Sequence, residues 1–111
     1  MARALIAVTG AATDTALVAA PGATHWIRLL RIHYTISAAA TVSVSAGPDA
    51  ASSVRIIHGV YPAATTVVMD SIGDGMTIHP IADLPLNTAL NITNSAGNLA
   101  GVVEYEISGG S

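Results

Sequence analysis

The chain of 111 residues contains no cysteine, no phenylalanine and no lysine. Without cysteine there is no disulfide framework, no thiol nucleophile and no thiolate metal site, and the redox compartment stays open. Without lysine, the only cationic side chains besides histidine are Arg3, Arg28, Arg31 and Arg55. Charged residues make up 10% of the chain, against about a quarter in an ordinary soluble domain. A small β-domain usually guards its sheet edges with lysine and other charges. This one has few to use, so either its edges are paired within a barrel or sandwich or other subunits cover its surface; depletion of charge marks interface centres. A formal net charge of -3 lacks the basic stripe of a nucleic-acid binder. Long apolar runs are also missing. Mean hydropathy is positive, but alanine inflates it, and no run approaches the ~20 residues of a spanning helix. Neither nucleic acid nor a membrane is therefore expected as a partner. Thr9, Gly10, Thr13 and Asp14 interrupt the first twenty residues, which make a poor signal peptide.

What is present is alternation. Trp26, Leu30, Ile32, Tyr34 and Ile36 share one parity, and Arg31, His33 and Thr35 the other. The start is irregular: Arg28 sits on the apolar parity, and Ile27 and Leu29 on the polar one. Val42 and Val44 then alternate with Thr41, Ser43 and Ser45. A period of two puts one face in a core and the other toward water or a partner. The expected strands are Ala4–Val8, Thr15–Ala19, His25–Ser37, Ala40–Ala46, Ser53–Tyr61, Ala64–Met69, Gly75–His79, Thr88–Thr93 and Gly101–Ser108. Pro21-Gly22 suits a type II turn over residues 20–23. Gly47-Pro48-Asp49 and Asp70 to Gly75 read as loops, and Asn94 to Asn98 as a hairpin connection. A short helical turn within Gly47–Ser53 is expected, with Pro48 at a first helical position. Turns this frequent predict an all-β fold, an antiparallel β-sandwich or jelly roll of about eight or nine short strands. In the last strand Val103, Tyr105 and Ile107 give a dry face, while Glu104 and Glu106 make the other mostly acidic.

The residues that could carry chemistry do not converge. The histidines are His25, His33, His58 and His79, with no His-x-His pair, so no metal site is expected. His33 falls on a polar face, and His58 shares parity with Val54, Ile56 and Val60, which predicts a half-buried side chain. Asp70 and Asp74 frame a Gly-containing loop that lacks the further acidic ligands and bidentate Glu of a calcium loop. Asx-turns explain it more simply. Glu104 and Glu106, two apart on one strand, do not flank a scissile bond as a glycosidase pair must. No Gly-x-Ser-x-Gly occurs and no serine stands out. No catalytic residue and no cofactor is expected. The scarce arginines are candidates for contacts with carboxylates on another subunit, because the guanidinium fork suits bidentate pairing; the plain alternative is local ion pairs. Among the aromatics, Trp26, Tyr34 and Tyr105 lie on core parities, which leaves Tyr61 as the exposed candidate. Arg3, Arg31, Arg55 and Tyr61 are thus the candidate interface residues.

Three segments carry a resemblance. Asp14-Thr-Ala-Leu-Val-Ala-Ala-Pro-Gly-Ala23 leads into His25-Trp-Ile-Arg-Leu-Leu-Arg-Ile-His-Tyr34. The small-residue strand Ser37-Ala-Ala-Ala-Thr-Val-Ser-Val-Ser45 follows. Leu84-Pro-Leu-Asn-Thr-Ala-Leu-Asn-Ile-Thr93, a Gly-containing hairpin and Val102-Val-Glu-Tyr-Glu-Ile107 close the chain. In this texture, which spans most of the chain without a signature motif, the sequence resembles the small decoration, or cement, proteins of tailed-bacteriophage heads. The resemblance implies a β-sandwich or jelly roll, a homotrimer, seated on the major capsid protein of a virion and without enzymatic activity. It also implies that residues 1–13 form an arm reaching a neighbour or the shell, ahead of a sandwich domain at 14–108; by composition, Gly109-Gly110-Ser111 reads as a flexible tail at 109–111. Two other readings stand beside it. One is a tail-fibre or host-contact binding module for glycans, with Tyr61, Asp70 and Asp74 as its candidates. The other is a small enzyme on a cupin-like β-domain, which the missing metal motif disfavours.

Overall fold

In the computed structural model, which describes residues 2–49, 54–70, 72–73 and 78–109, the chain is laid down almost entirely as antiparallel strands. They are β1 (Ala2–Thr9), β2 (Ala12–Val18), β3 (His25–Ile36), β4 (Ala40–Ala46), β5 (Arg55–Tyr61) and β6 (Thr65–Asp70). Then come β7 (Ile72–Gly73), β8 (Ile78–His79), β9 (Ala82–Asp83), β10 (Leu90–Asn94) and β11 (Asn98–Gly109). One sheet has the order β1-β11-β3-β6, with β9 also on β3; the other has the order β2-β10-β4-β5; β7 and β8 form a small ribbon.

The pairing is nested. β4 pairs β5, β3 pairs β6, β2 pairs β10 and β1 pairs β11. This is one long hairpin rolled up so that alternate pairs fall in opposite sheets, and the contacts β11–β3 and β10–β4 close the roll. The result is an antiparallel β-sandwich with jelly-roll strand order. Between the sheets Ile6, Val8, Ile32, Tyr34, Ile36 and Val103 from one meet Val18, Val42, Val44, Ile57, Leu90 and Ile92 from the other in a single apolar cluster.

The irregular start of β3 has a local cause. Glu104 opposes Arg31 and Tyr105 opposes Leu29, so Leu30 is an extra residue, a β-bulge. A bulge shifts the side-chain parity by one. Ile27 and Leu29 therefore reach the core before it, and Ile32, Tyr34 and Ile36 after it. Leu30 is buried but outside that cluster. Trp26, placed on the core parity by uninterrupted alternation, is instead half-buried beside the end of β11, opposite Ser108. A second shift occurs in β5, where Ile57 opposes Val44 and Arg55 opposes Ser45. Ile57 thereby takes the core, and Val60 on the other parity stays exposed. His58 shares that outward parity and is exposed rather than half-buried.

Other expectations need correction. Residues 2–9 are not a free arm: β1 pairs with β11 from Ala2↔Tyr105 to Thr9↔Asn98, and Ile6 and Val8 are core residues. The turn before β3 closes with His25 N donating to Gly22 O, two residues beyond the expected one. The segment read as a loop from Asp70 contains β7, paired with β8. The expected helical turn over 47–53 and the residues Asp74, Gly110 and Ser111 lie wholly or partly outside the described residues.

Candidate docking face and polar cleft

Each sheet presents an outer face, and cross-strand register sets what is on it. On the β1-β11-β3-β6 sheet the outward residues fall in rows. One row reads Arg3–Glu104–Arg31–Asp70, the next Leu5–Val102–His33–Val68, and the third Ala7–Ala100–Thr35–Thr66. Beyond the Leu30 bulge a further row reads Glu106–Arg28–Asp83. Three of the four arginines and four of the seven carboxylates thus share one face. They are paired within the chain. Arg3 Nε lies 3.2 Å from Glu104 Oε1 and Arg31 Nε lies 2.9 Å from Asp70 Oδ1. Arg28 bridges Asp83 and Glu106 at 3.0 Å each. Such partly exposed pairs add little stability. They do cancel the charge of the face, beside an apolar row that stays in water: Leu5 is 79% exposed and Val68 54%.

The other sheet carries a cleft of about 390 Å³ on its outer side, lined among others by Thr41, Ser43, Asp49, Arg55, His58 and Thr93. Ser43 sits in the middle of β4, between Thr93 of β10 and His58 of β5. Its Oγ lies 2.6 Å from His58 Nδ1. Asp49, just after β4, lies over this face. Asp49 N donates to Asp14 Oδ1 at 2.8 Å, and Asp14 N donates to Thr93 Oγ1 at 3.0 Å. Asp14 has a φ of 52°, in the left-handed region that Asp tolerates better than most residues. Arg55 donates twice to Asp49, Nε to Oδ1 at 2.9 Å and Nη2 to Oδ2 at 3.2 Å. These hydrogen bonds hold the Asp49 carboxyl below the usual carboxylate range; burial works against them, and the Arg55 charge, the Ser43 hydroxyl and His58 add to the lowering. Among the described residues no acceptor takes the outer guanidinium hydrogens of Arg55.

The four candidate interface residues therefore separate. Arg3 and Arg31 lie in one row of the first sheet, whereas Arg55 lines the cleft of the second. Tyr61 is not an exposed platform: it is half-buried and packs against the core. Its phenol faces the fully buried Tyr34, whose own phenol is pushed up by burial and further by Tyr61. Asp70 is tied to Arg31. Among the described residues no three His, Asp or Glu side chains cluster as metal ligands.

Sequence reasoning missed the Ser43–His58 contact. Both residues fall on outward parities of strands joined by one connection, so the signal was the hairpin pairing and not a motif. It also missed the charge rows, which exist only because β11 inserts between β1 and β3.

No protein-family model, no curated protein and no solved structure matches this chain.

Proposed function

We propose that the protein is a structural virion component, a decoration protein that binds the outside of a phage head, contacts the major capsid protein and stabilises the shell. The observation that supports this reading is the outer face of the β1-β11-β3-β6 sheet. Its charges are neutralised within the chain, and Leu5 and Val68 are left in water in the row beside them. Exposed apolar side chains on a face whose charges are already paired favour association. An oligomer built through such a face presents several modest shell contacts at once, and effective concentration makes them act together. The test is co-sedimentation of the protein with heads, stripped of decoration, from the phage that encodes it. Saturable binding at a fixed number of copies per lattice site, with heads that resist heat better, is expected. Heads that stay bare at micromolar protein would refute the proposal.

The cleft favours a second reading, a host-contact module that takes a glycan. Its hydroxyl-bearing lining and near-neutral Asp49–Arg55 pair suit a small ligand rich in hydroxyl groups. A glycan array probed with the wild type and with Asp49→Asn separates the two readings. Signal lost in the variant supports this one, and a silent array removes it.

A further inference from the structure

The charge rows have a symmetry that the fold does not require. Across the four strands the first row runs plus, minus, plus, minus: Arg3, Glu104, Arg31, Asp70. The row beyond the bulge runs minus, plus, minus over β11, β3 and β9: Glu106, Arg28, Asp83. The first row changes sign when it is reversed about the line between β11 and β3, and so does the Glu106–Arg28 pair of the second; Asp83 has no counterpart among the described residues of β1. A second copy laid on this face by a two-fold rotation about that line meets each row reversed. Arg3 then faces Asp70 of the other copy, Glu104 faces Arg31, and Glu106 faces Arg28. In the apolar row Leu5 faces Val68 and Val102 faces His33, while the small row sets Ala7 against Thr66. Every charge with a counterpart meets its opposite, and the two most exposed apolar side chains of the row cover one another.

Turning the copy about the perpendicular in-plane axis does the reverse. Centred on the apolar row, it sets the four charges against alanine and threonine; centred on the charge row, it sets Arg3 against Arg3. Both arrangements strip water from charges without compensation.

We infer that this face binds a second copy of the same chain, face to face, about a two-fold axis running along the strands between β11 and β3. The inference rests on the assembly reading above and replaces the trimer implied by the resemblance with a self-complementary pair. A two-fold contact is isologous, so one patch must complement itself, and this face meets that condition across the whole first row and in the Glu106–Arg28 pair of the second. The burial of Leu5 and Val68 supplies affinity, and the charge rows supply register and exclude wrong docking. The size is adequate. β3 and β11 each have 12 residues, which at ~3.4 Å per residue and ~4.8 Å between strands gives a face of roughly 600–700 Å² in projection. A stable interface needs about 800 Å² of accessible surface per partner, and side-chain relief brings the face to that range.

The absence of cysteine makes the test clean. In one copy Leu5 and Val68 stand three strand spacings apart, ~14 Å, beyond the span of a short thiol cross-linker. Facing sheets stand ~10 Å apart, so Leu5→Cys and Val68→Cys proteins, mixed and treated with a short bis-maleimide, should cross-link to each other, and Leu5→Cys alone should not. Light scattering on the wild type at micromolar concentration should give twice 11.1 kDa. Arg31→Glu should weaken the pair by roughly 100-fold, since symmetry creates the like-charge contact twice. Adding Glu104→Arg should restore it, although that swap spoils the alternation within each chain. A role confined to intrachain ion pairs predicts the opposite, a double variant worse than either single. A trimer, or a dimer without the Leu5–Val68 cross-link, overturns the two-fold inference and leaves the assembly reading standing. A monomer at all concentrations overturns the inference and removes the oligomer on which the decoration reading relies.

Discussion

Leu5 and Ile6 are chain neighbours on β1, and the fold assigns them opposite fates. Ile6 is 2% exposed within the core, opposite Gly101 of β11, whereas Leu5 is 79% exposed on the outer face. Truncating Ile6 to alanine removes three buried carbons and leaves a cavity that rigid strands cannot close. The expected cost is about 2–5 kcal/mol. A domain of this size has a net stability on the order of 5–15 kcal/mol, so the loss is a large part of the whole. Leu5→Ala removes atoms that are already in water and should change stability by no more than about 0.5 kcal/mol. Urea unfolding followed by Trp26 fluorescence reads both. With a slope of about 1–3 kcal/mol per molar, the Ile6 midpoint should fall by roughly 0.7 M to several molar, and the Leu5 midpoint should barely move. The protein must be dilute enough to be monomeric, because association would add stability by mass action. Equal costs at the two positions, or a larger cost at Leu5, would refute the register of β1 against β11. A slip of one residue exchanges the faces of a strand.

Removal of residues 1–13 should abolish folding, seen as loss of β-type circular dichroism, because it takes away an edge strand with Ile6 and Val8. A folded truncation product would restore the arm reading. Gly101→Ala should cost roughly 1–3 kcal/mol or more, because a Cβ there would overlap the His33 carbonyl oxygen and the Tyr34 Cα on the neighbouring strand; thermal unfolding measures it. The Asp49 carboxyl is depressed in the folded state. Its contribution to stability is therefore complete above the unfolded value near 3.8 and is lost as pH falls through the lower folded value. Asp49→Asn should be less stable than wild type at neutral pH, with the gap closing below about pH 4; a gap constant from pH 2 to 7 would contradict the Arg55 pairing.

Much of the architecture was legible in local pattern. Ala40–Ala46 is strand β4 with the expected bounds, because Val42 and Val44 alternate with Thr41, Ser43 and Ser45 without interruption. β3 was legible as a strand, but its inward side was not. The Leu30 bulge changes parity, and it shows only in the pairing of β3 with β11. The same holds for Ile57 and His58 in β5. The Ala11–Ala20 region, rich in a helix-favouring residue, is strand β2 because pairing with β10 outweighs intrinsic preference.

The sequence by itself determined the class of the molecule. Period-two alternation, frequent turns and missing cysteine and lysine leave an all-β domain with few ways to defend its surface. The tertiary structure alone decided which residues meet. Ser43 and His58 are 15 residues apart, and Asp14 and Asp49 are 35 apart. The charge row gathers Arg3, Arg31, Asp70 and Glu104 from four strands of the chain. The physical reason is that strand alternation is local, fixed by backbone geometry within a few residues. Sheet order in a rolled hairpin, by contrast, is fixed by contacts between distant strands, and those contacts alone bring the rows and the cleft into being.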